Sequence, residues 1–346
     1  MLVARRIGLV LATLGLLLGL MVTPAAARER TGPQHGHGGA VLTKLASFGG
    51  GGWVLGSTIG PDGALYVTDG NAGSVLRIDR RSGRVSTYAT GLPRKVFPAE
   101  DIGGAVDVLF VGRTAYVLVT LVSGRAAGEP FGDVADKNGI YRLNRDGSFT
   151  LVADIGGWSV DHPPRPAFFV DTGVQYSMER YGGRFLVADG HHNRVLSVGG
   201  DGSIREVAAF GDVVPTGLEV ARGRVFVSQA GSIPHDPADG RVVRLRRGAD
   251  PAELARGASL LVDVERGAHR RLYALSQGTW DGVGEGSPAL PSTGRLLVVG
   301  RHGGLTPVVD GRGQDLVLDR PVSMEFVGHT GYVVSLIGDV YRVDHL

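Results

Sequence analysis

The sequence predicts an all-β protein: a six-bladed β-propeller of four-stranded antiparallel blades, closed by an N-terminal strand that completes the last blade. Three observations lead there. A short apolar strand motif centred on an aromatic residue recurs six times. Each copy is flanked by tight-turn residues and by further strand-like runs. The last copy lacks a fourth strand, and a strand-like run near the N-terminus lacks partners of its own.

Before the repeats, residues 1–27 read as a targeting segment: Arg5 and Arg6, then apolar Ile7–Val22, then the small-residue cleavage site Ala25-Ala26-Ala27. This predicts a cleaved signal peptide and a secreted chain with no membrane span after cleavage. Residues 28–39 are polar and glycine-rich and read as a flexible linker, with His35 and His37 an incidental pair. The propeller is expected over residues 40–346.

Thr58–Leu92 is the template blade. Its second strand, Ala64–Asp69, recurs as Ala115–Thr120, Arg184–Asp189, Arg224–Gln229, Arg271–Ser276 and Gly331–Leu336. Alternation of apolar with small or polar residues is the period-two signature of a strand. Short turns with Gly, Asp or Arg precede each copy, from Gly60–Gly63 to Gly328–Thr330, where glycine supplies the positive φ of tight hairpins. Third strands follow, from Ser74–Asp79 to Asp339–Asp344. Fourth strands are predicted at Val85–Thr90, Phe149–Asp154, Ile204–Phe210, Pro251–Arg256 and Leu305–Asp310. Leu42–Phe48 supplies the sixth, and closing the ring removes the exposed edges of an open array.

Composition excludes several roles. There is no Cys, so neither a disulfide framework nor a lipoprotein anchor exists. The formal net charge of +2 is carried by Arg5 and Arg6, and residues 28–346 are formally neutral. Bulk charge therefore supports neither a nucleic-acid partner nor an anionic membrane surface. No nucleophile elbow, P-loop or zinc-protease motif is present.

The long connections are predicted on one face: Pro93–Gly104, Leu121–Asn138, Ile155–Asp171, Ala230–Gly240 and Gly278–Thr293. Structureless loops of this length are commonly functional. Their aromatics Phe97, Phe131, Trp158, Phe168, Phe169 and Trp280 are candidates for an apolar rim, or else cover blade edges. Second strands end at Asp69, Thr120, Asp189, Gln229, Gln277 and Leu336, converging on the channel mouth. Asp189, His191 and His192 form the densest cluster, with the composition of a divalent-metal site or a general base. The competing reading is that Asp69 and Asp189 cap their turns. Asp161-His162 and His235-Asp236 are neighbours in sequence whose side chains diverge in extended chain. Glu100, Asp101, Asp171, Asp281 and Glu285 add carboxylates to the rim, so calcium or magnesium is the cofactor such a rim would admit, without diagnostic spacing.

Gly60–Asp69 with Val75–Asp79 resembles the NHL-type and gluconolactonase-like propellers, whose blades carry a PDG-x-LYV-x-D … I-x-R pattern. Gly183–Val198 followed by Val207–Val227 resembles the ScyD/ScyE family of exported propellers, most strongly over residues 165–250. Ala105–Val111 departs from the family's Pro-x-Gly start. The resemblance implies an exported six-bladed propeller; it carries no reaction, and no catalytic residue is transferred.

Two functions are expected from these features. One is a secreted, monomeric binding or scaffold protein holding a small molecule, glycan or envelope protein on the loop-rich face, with Asp69, Asp171, Asp189, His191, His192, Gln229, Gln277, Trp158 and Trp280 as channel-mouth candidates. The other is a metal-dependent hydrolase or lyase of lactonase or streptogramin-lyase type, with Asp189, His191, His192 and Gln229 as its candidates. A structural envelope module is a third.

Overall fold

Alternating side chains on every repeat build six four-stranded antiparallel meanders arranged as a ring. The structure, a computed structural model, describes residues 39–48, 54–96, 102–233, 235–236, 238–282 and 287–346. The predicted signal segment, most of the predicted linker, Phe97, Glu100, Asp101 and Glu285 lie outside the described residues.

The closing strand β1 (Val41–Ser47) belongs to the last blade. The first blade is β2 (Val54–Ile59), β3 (Leu65–Asp69), β4 (Ser74–Ile78) and β5 (Val85–Thr90). The second is β6 (Gly104–Val111), β7 (Thr114–Thr120), β10 (Gly139–Leu143) and β11 (Phe149–Asp154), with the hairpin β8 (Ser123–Ala126) and β9 (Glu129–Gly132) inserted. The third is β12 (Gln175–Tyr181), β13 (Arg184–Asp189), β14 (Arg194–Val198) and β15 (Ile204–Ala209). The fourth is β16 (Val214–Ala221), β17 (Arg224–Gly231), β18 (Gly240–Arg246) and β19 (Ala249–Ala258). The fifth is β20 (Leu261–Arg266), β21 (Leu272–Ser276), β22 (Gly294–Val299) and β23 (Leu305–Pro307), with β24 (Val317–Leu318) also on β22. The sixth is β25 (Pro321–Val327), β26 (Thr330–Ser335) and β27 (Asp339–Asp344).

Closure follows the expected scheme. β1 pairs antiparallel with β27, from Val41 opposite Asp344 to Ser47 opposite Asp339. Lys44 Nζ reaches Asp339 Oδ2 at 2.6 Å across that pair. First strands lie innermost and contact their neighbours around the ring, with β25 next to β2.

Two expectations need correction. The predicted fourth strand Leu305–Asp310 is shorter and split, because Asp310 Oδ1 accepts from Arg312 N and Gln314 N and folds the chain into a tight turn. The chain returns as β24 on the other half of β22. The long connections are also more ordered than structureless loops. Leu121–Asn138 holds the β8–β9 hairpin, and α1 (Ile155–Asp161) opens the next insertion. Asp154 caps α1 by accepting from Gly157 N at 2.8 Å.

The second-strand aromatics join blade to blade. Tyr66 meets Phe110 of the next blade edge-on at 4.8 Å, Tyr116 meets Phe185 at 4.9 Å and Tyr273 meets Phe326 at 4.7 Å. Such ring pairs add about 0.5–1.5 kcal/mol each beyond area burial. No helix among the described residues is long and apolar enough to cross a membrane.

Candidate functional site

The inner strands enclose a cavity with about 160 Å³ open to water-sized molecules. Its walls mix apolar side chains, including Leu55, Val106, Met178, Leu218, Met324 and Leu336, with about as much polar surface. Into this space the inner strands bring carboxylates: Asp107, Glu179, Asp263, Glu265 and Glu325, with Glu219 close by.

These acids fall into two kinds. Asp107 and Asp263 are staples between neighbouring inner strands. Asp107 accepts from Val108 N at 2.8 Å and from Met178 N of the next blade at 2.7 Å. Asp263 repeats this with Val264 N and Met324 N, both at 2.8 Å. The blades concerned are the second and fifth, opposite each other in the ring. Among the described residues Glu265 and Glu325 make no such bonds, and both line the cavity.

Burial raises the pKa of all six, and their mutual repulsion adds to it for most of them. Glu179 is pushed up to about 7 by burial, with Glu219 and Asp263 adding repulsion against the bond from Arg180 N. Asp263 likewise reaches about 7. Burial, then neighbouring charge, lifts Glu265 and Glu325 well above the carboxylate range, and burial does the same to Asp107.

On the loop side the wall is imidazole and amide. His191 is buried, lines the cavity, and places Nε2 2.8 Å from the Tyr176 hydroxyl. Burial, then the nearby His235 and His192, press its pKa down to about 3, so the ring is neutral at neutral pH. Burial also lowers His235, which lines the same wall with Gln277 and Ser287. Gln277 Oε1 accepts from Ala289 N at 3.0 Å, and Trp280 Nε1 donates to Ser287 Oγ at 2.8 Å. Trp280 thus braces the rim from behind.

The predicted cluster at residues 189–192 separates. Asp189 is fully buried and saturated: Oδ1 accepts from Gln175 Nε2 and Oδ2 from Arg194 Nε, each at 2.8 Å. Burial opposes its ionisation, but the bond and charge of His192 and the charge of Arg194 hold its pKa below the usual value. His192 contacts Val170 O through Nε2 at 3.1 Å and Arg194 Nη2 through Nδ1 at 3.0 Å. Arg194 continues to His162 O at 2.7 Å and Ser159 Oγ at 3.0 Å. This network pins α1 and the segment after it to the third blade. A Cβ at Gly173 would collide with Asp189 Oδ1, and one at Gly190 with the Tyr176 ring.

The other candidates are placed as follows. Asp69 Oδ1 accepts from Ala72 N at 2.9 Å and caps its turn. Asp171 Oδ1 accepts from Arg125 N at 2.8 Å and fastens the β8–β9 hairpin. Gln229 is buried in β17 and is not part of the cavity wall. Trp158 stacks on His162 at 4.2 Å with Arg194 over its ring, away from the lumen. Of the set, His191 and Gln277 therefore line the cavity. Among the described residues, no three of His, Asp or Glu converge as a metal site. Tyr176, His235 and the channel carboxylates were not among the predicted residues. A signal existed: Ser177-Met178-Glu179 and Ser323-Met324-Glu325 repeat an acid at one position of the first strand, as do Leu218-Glu219 and Val264-Glu265.

Solved structures share this architecture. The aldose sugar dehydrogenase of Streptomyces coelicolor, in its PQQ-bound form, superposes with a TM-score of 0.57 at 12% identity, over 88% of this chain and 98% of that one. A gluconolactonase from Xanthomonas campestris gives 0.55 at 13% identity, over 88% and 89%. Virginiamycin B lyase from Staphylococcus aureus gives 0.51 at 12%, over 88% and 99%. The likeness is one of fold. No family model matches the sequence, and no curated protein does.

Proposed function

We propose that this chain binds a small organic molecule in the central channel, entered from the loop-bearing face. The observation that carries the reading is the cavity itself: mixed apolar and polar walls, with His191, His235 and Gln277 towards the loop side and Glu265 and Glu325 towards the other. Lumen acids without a hydrogen-bond partner among the described residues gain most from a ligand that donates hydrogen bonds or carries positive charge. The motif resemblance over residues 165–250 supports an exported propeller of ScyD/ScyE type, with residues 1–27 as its signal.

The test is to identify organic molecules that co-purify with the protein, by mass spectrometry of extracts. Thr58 lines the channel on β2, so Thr58→Trp should fill the lumen and empty the extract while the thermal midpoint holds. Identical extracts from both proteins would sink the proposal.

A second reading is a hydrolase or lyase using the same cavity. One observation favours it: at the cavity wall His191 Nε2 lies 2.8 Å from the Tyr176 hydroxyl, an imidazole–phenol pair able to pass a proton to or from a bound ligand. The structural neighbours include a lyase and a gluconolactonase, which supports carrying the class forward. Turnover of a lactone panel that disappears in His191→Ala would favour the enzyme. A His191→Ala protein with unchanged turnover would remove His191 from that role.

A further inference from the structure

The formal neutrality of residues 28–346 conceals a local excess of one sign: on the short-turn face, acids occur on blades one to three, as at Asp62, Asp146 and Asp201, but not in the turns of blades four and five. Turns between first and second strands, and between third and fourth, emerge opposite the long loops. On blades four and five these are residues 222–223, 247–248, 267–271 and 300–304, and they contain no acid. Arg222, Arg246 and Arg247 are exposed on blade four, and Arg270, Arg271 and Arg301 on blade five. Among the described residues none of the six lies in an ion pair. Asp250, near the start of β19, is the closest exposed acid in sequence.

We propose that this face docks on an anionic phospholipid surface. The turns that carry the arginines are short, two to five residues each. Apolar tips flank the patch on the same face. Tyr181 ends β12 on blade three at 42% exposure, and Val327 ends β25 on blade six at 37%. Basic residues bordered by exposed apolar and aromatic tips match the chemistry of a headgroup layer over acyl chains. The four turns hold no Phe, Tyr or Trp on which single-stranded bases could stack. Two of the arginines sit at left-handed backbone positions: Arg222 has φ 53° and Arg270 φ 60°. The orientation would leave the long loops and the channel mouth facing away from the lipid.

Co-sedimentation with vesicles tests this on the whole chain. Wild type should pellet with an equimolar mixture of phosphatidylcholine and phosphatidylglycerol, and stay in solution with phosphatidylcholine alone. Raising the salt should release it, since the attraction is screened over about 10 Å at 0.1 M. Combined Arg246→Glu, Arg247→Glu and Arg270→Glu should lower binding about tenfold or more, with the thermal midpoint retained. Arg113→Glu with Arg145→Glu, on the same face of blade two, should leave binding near wild type. Equal binding to both vesicle types, no binding to either, or full binding by the triple variant would overturn the proposal. So would binding to duplex DNA as strong as to the anionic vesicles, which would assign the patch to nucleic acid. If the triple variant fails to fold, the lipid and salt dependence of wild type still decides.

Discussion

At the scale of single residues, the centre of gravity is Arg194 rather than the histidines beside it. Its guanidinium joins Asp189, His192, Ser159 and the backbone of His162, all within 3.0 Å or less. Removing it leaves Asp189 charged, fully buried and without its guanidinium partner. Breaking one side of a buried pair in this way costs about 3–5 kcal/mol. Arg194→Met should therefore lower the denaturation free energy by that order and loosen the α1 segment. Asp189→Asn should cost less, because Arg194 then keeps His162 O, Ser159 Oγ and Glu206 at 3.9 Å as partners, while Asp189 without Arg194 keeps only Gln175 and His192 among the described residues. Chemical denaturation of both variants reads the difference; equal losses would show that Asp189 does not depend on Arg194 for its charge.

The same residues show why the site was only partly legible in the sequence. Asp189, His191 and His192 are adjacent, and adjacency suggested joint chemistry. The turn instead sends His191 to the lumen and turns Asp189 and His192 towards blade three. Which way each points depends on Gln175 and Arg194, whose partnership spans strands. The channel carboxylates were readable only as a repeated position across blades, a pattern weaker than the aromatic of the second strand. That aromatic was legible because it serves the same packing role between successive blades.

At the scale of elements, the legible feature was the displaced strand. Leu42–Phe48 had no local partner and β27 had no successor, and one hydrogen-bonded pairing resolves both. Within blade five the pattern failed at Asp310, where a side chain competing for backbone N–H groups overrode strand propensity. The closing pair has a measurable consequence. Thr43 lies opposite Arg342 in the middle of the ladder, and proline there would remove a donor and distort the strand. Thr43→Pro should cost about 1 kcal/mol or more, the order of one lost hydrogen bond, and loosen the edge of β27. Enhanced exchange of amides in β27, without comparable change in β13 or β17, is the expected hydrogen-exchange result. Uniform change around the ring would mean that blades melt together and that closure has no local character.

At the scale of the whole molecule, the channel opposes two sets of titrations. Glu179 rises from 4.5 in the unfolded chain to about 7 in the fold, so the folded state holds the extra proton. Its contribution to stability is therefore lost as pH climbs from 4.5 to 7, to a limit on the order of 3 kcal/mol. Asp263 acts in the same direction between 3.8 and about 7. His191 does the reverse: its folded value of about 3 lies below the unfolded 6.5, so stability falls as pH drops through that interval. Mildly acidic solution, where the two slopes oppose each other, should be the most stable range. Glu179→Gln separates the contributions without disturbing the staples at Asp107 and Asp263. The variant should melt above wild type at pH 8 and converge with it near pH 4, read as thermal midpoints across pH. A constant offset at every pH would show that Glu179 ionises in the fold as it does in the unfolded chain, and that the channel does not hold its acids protonated.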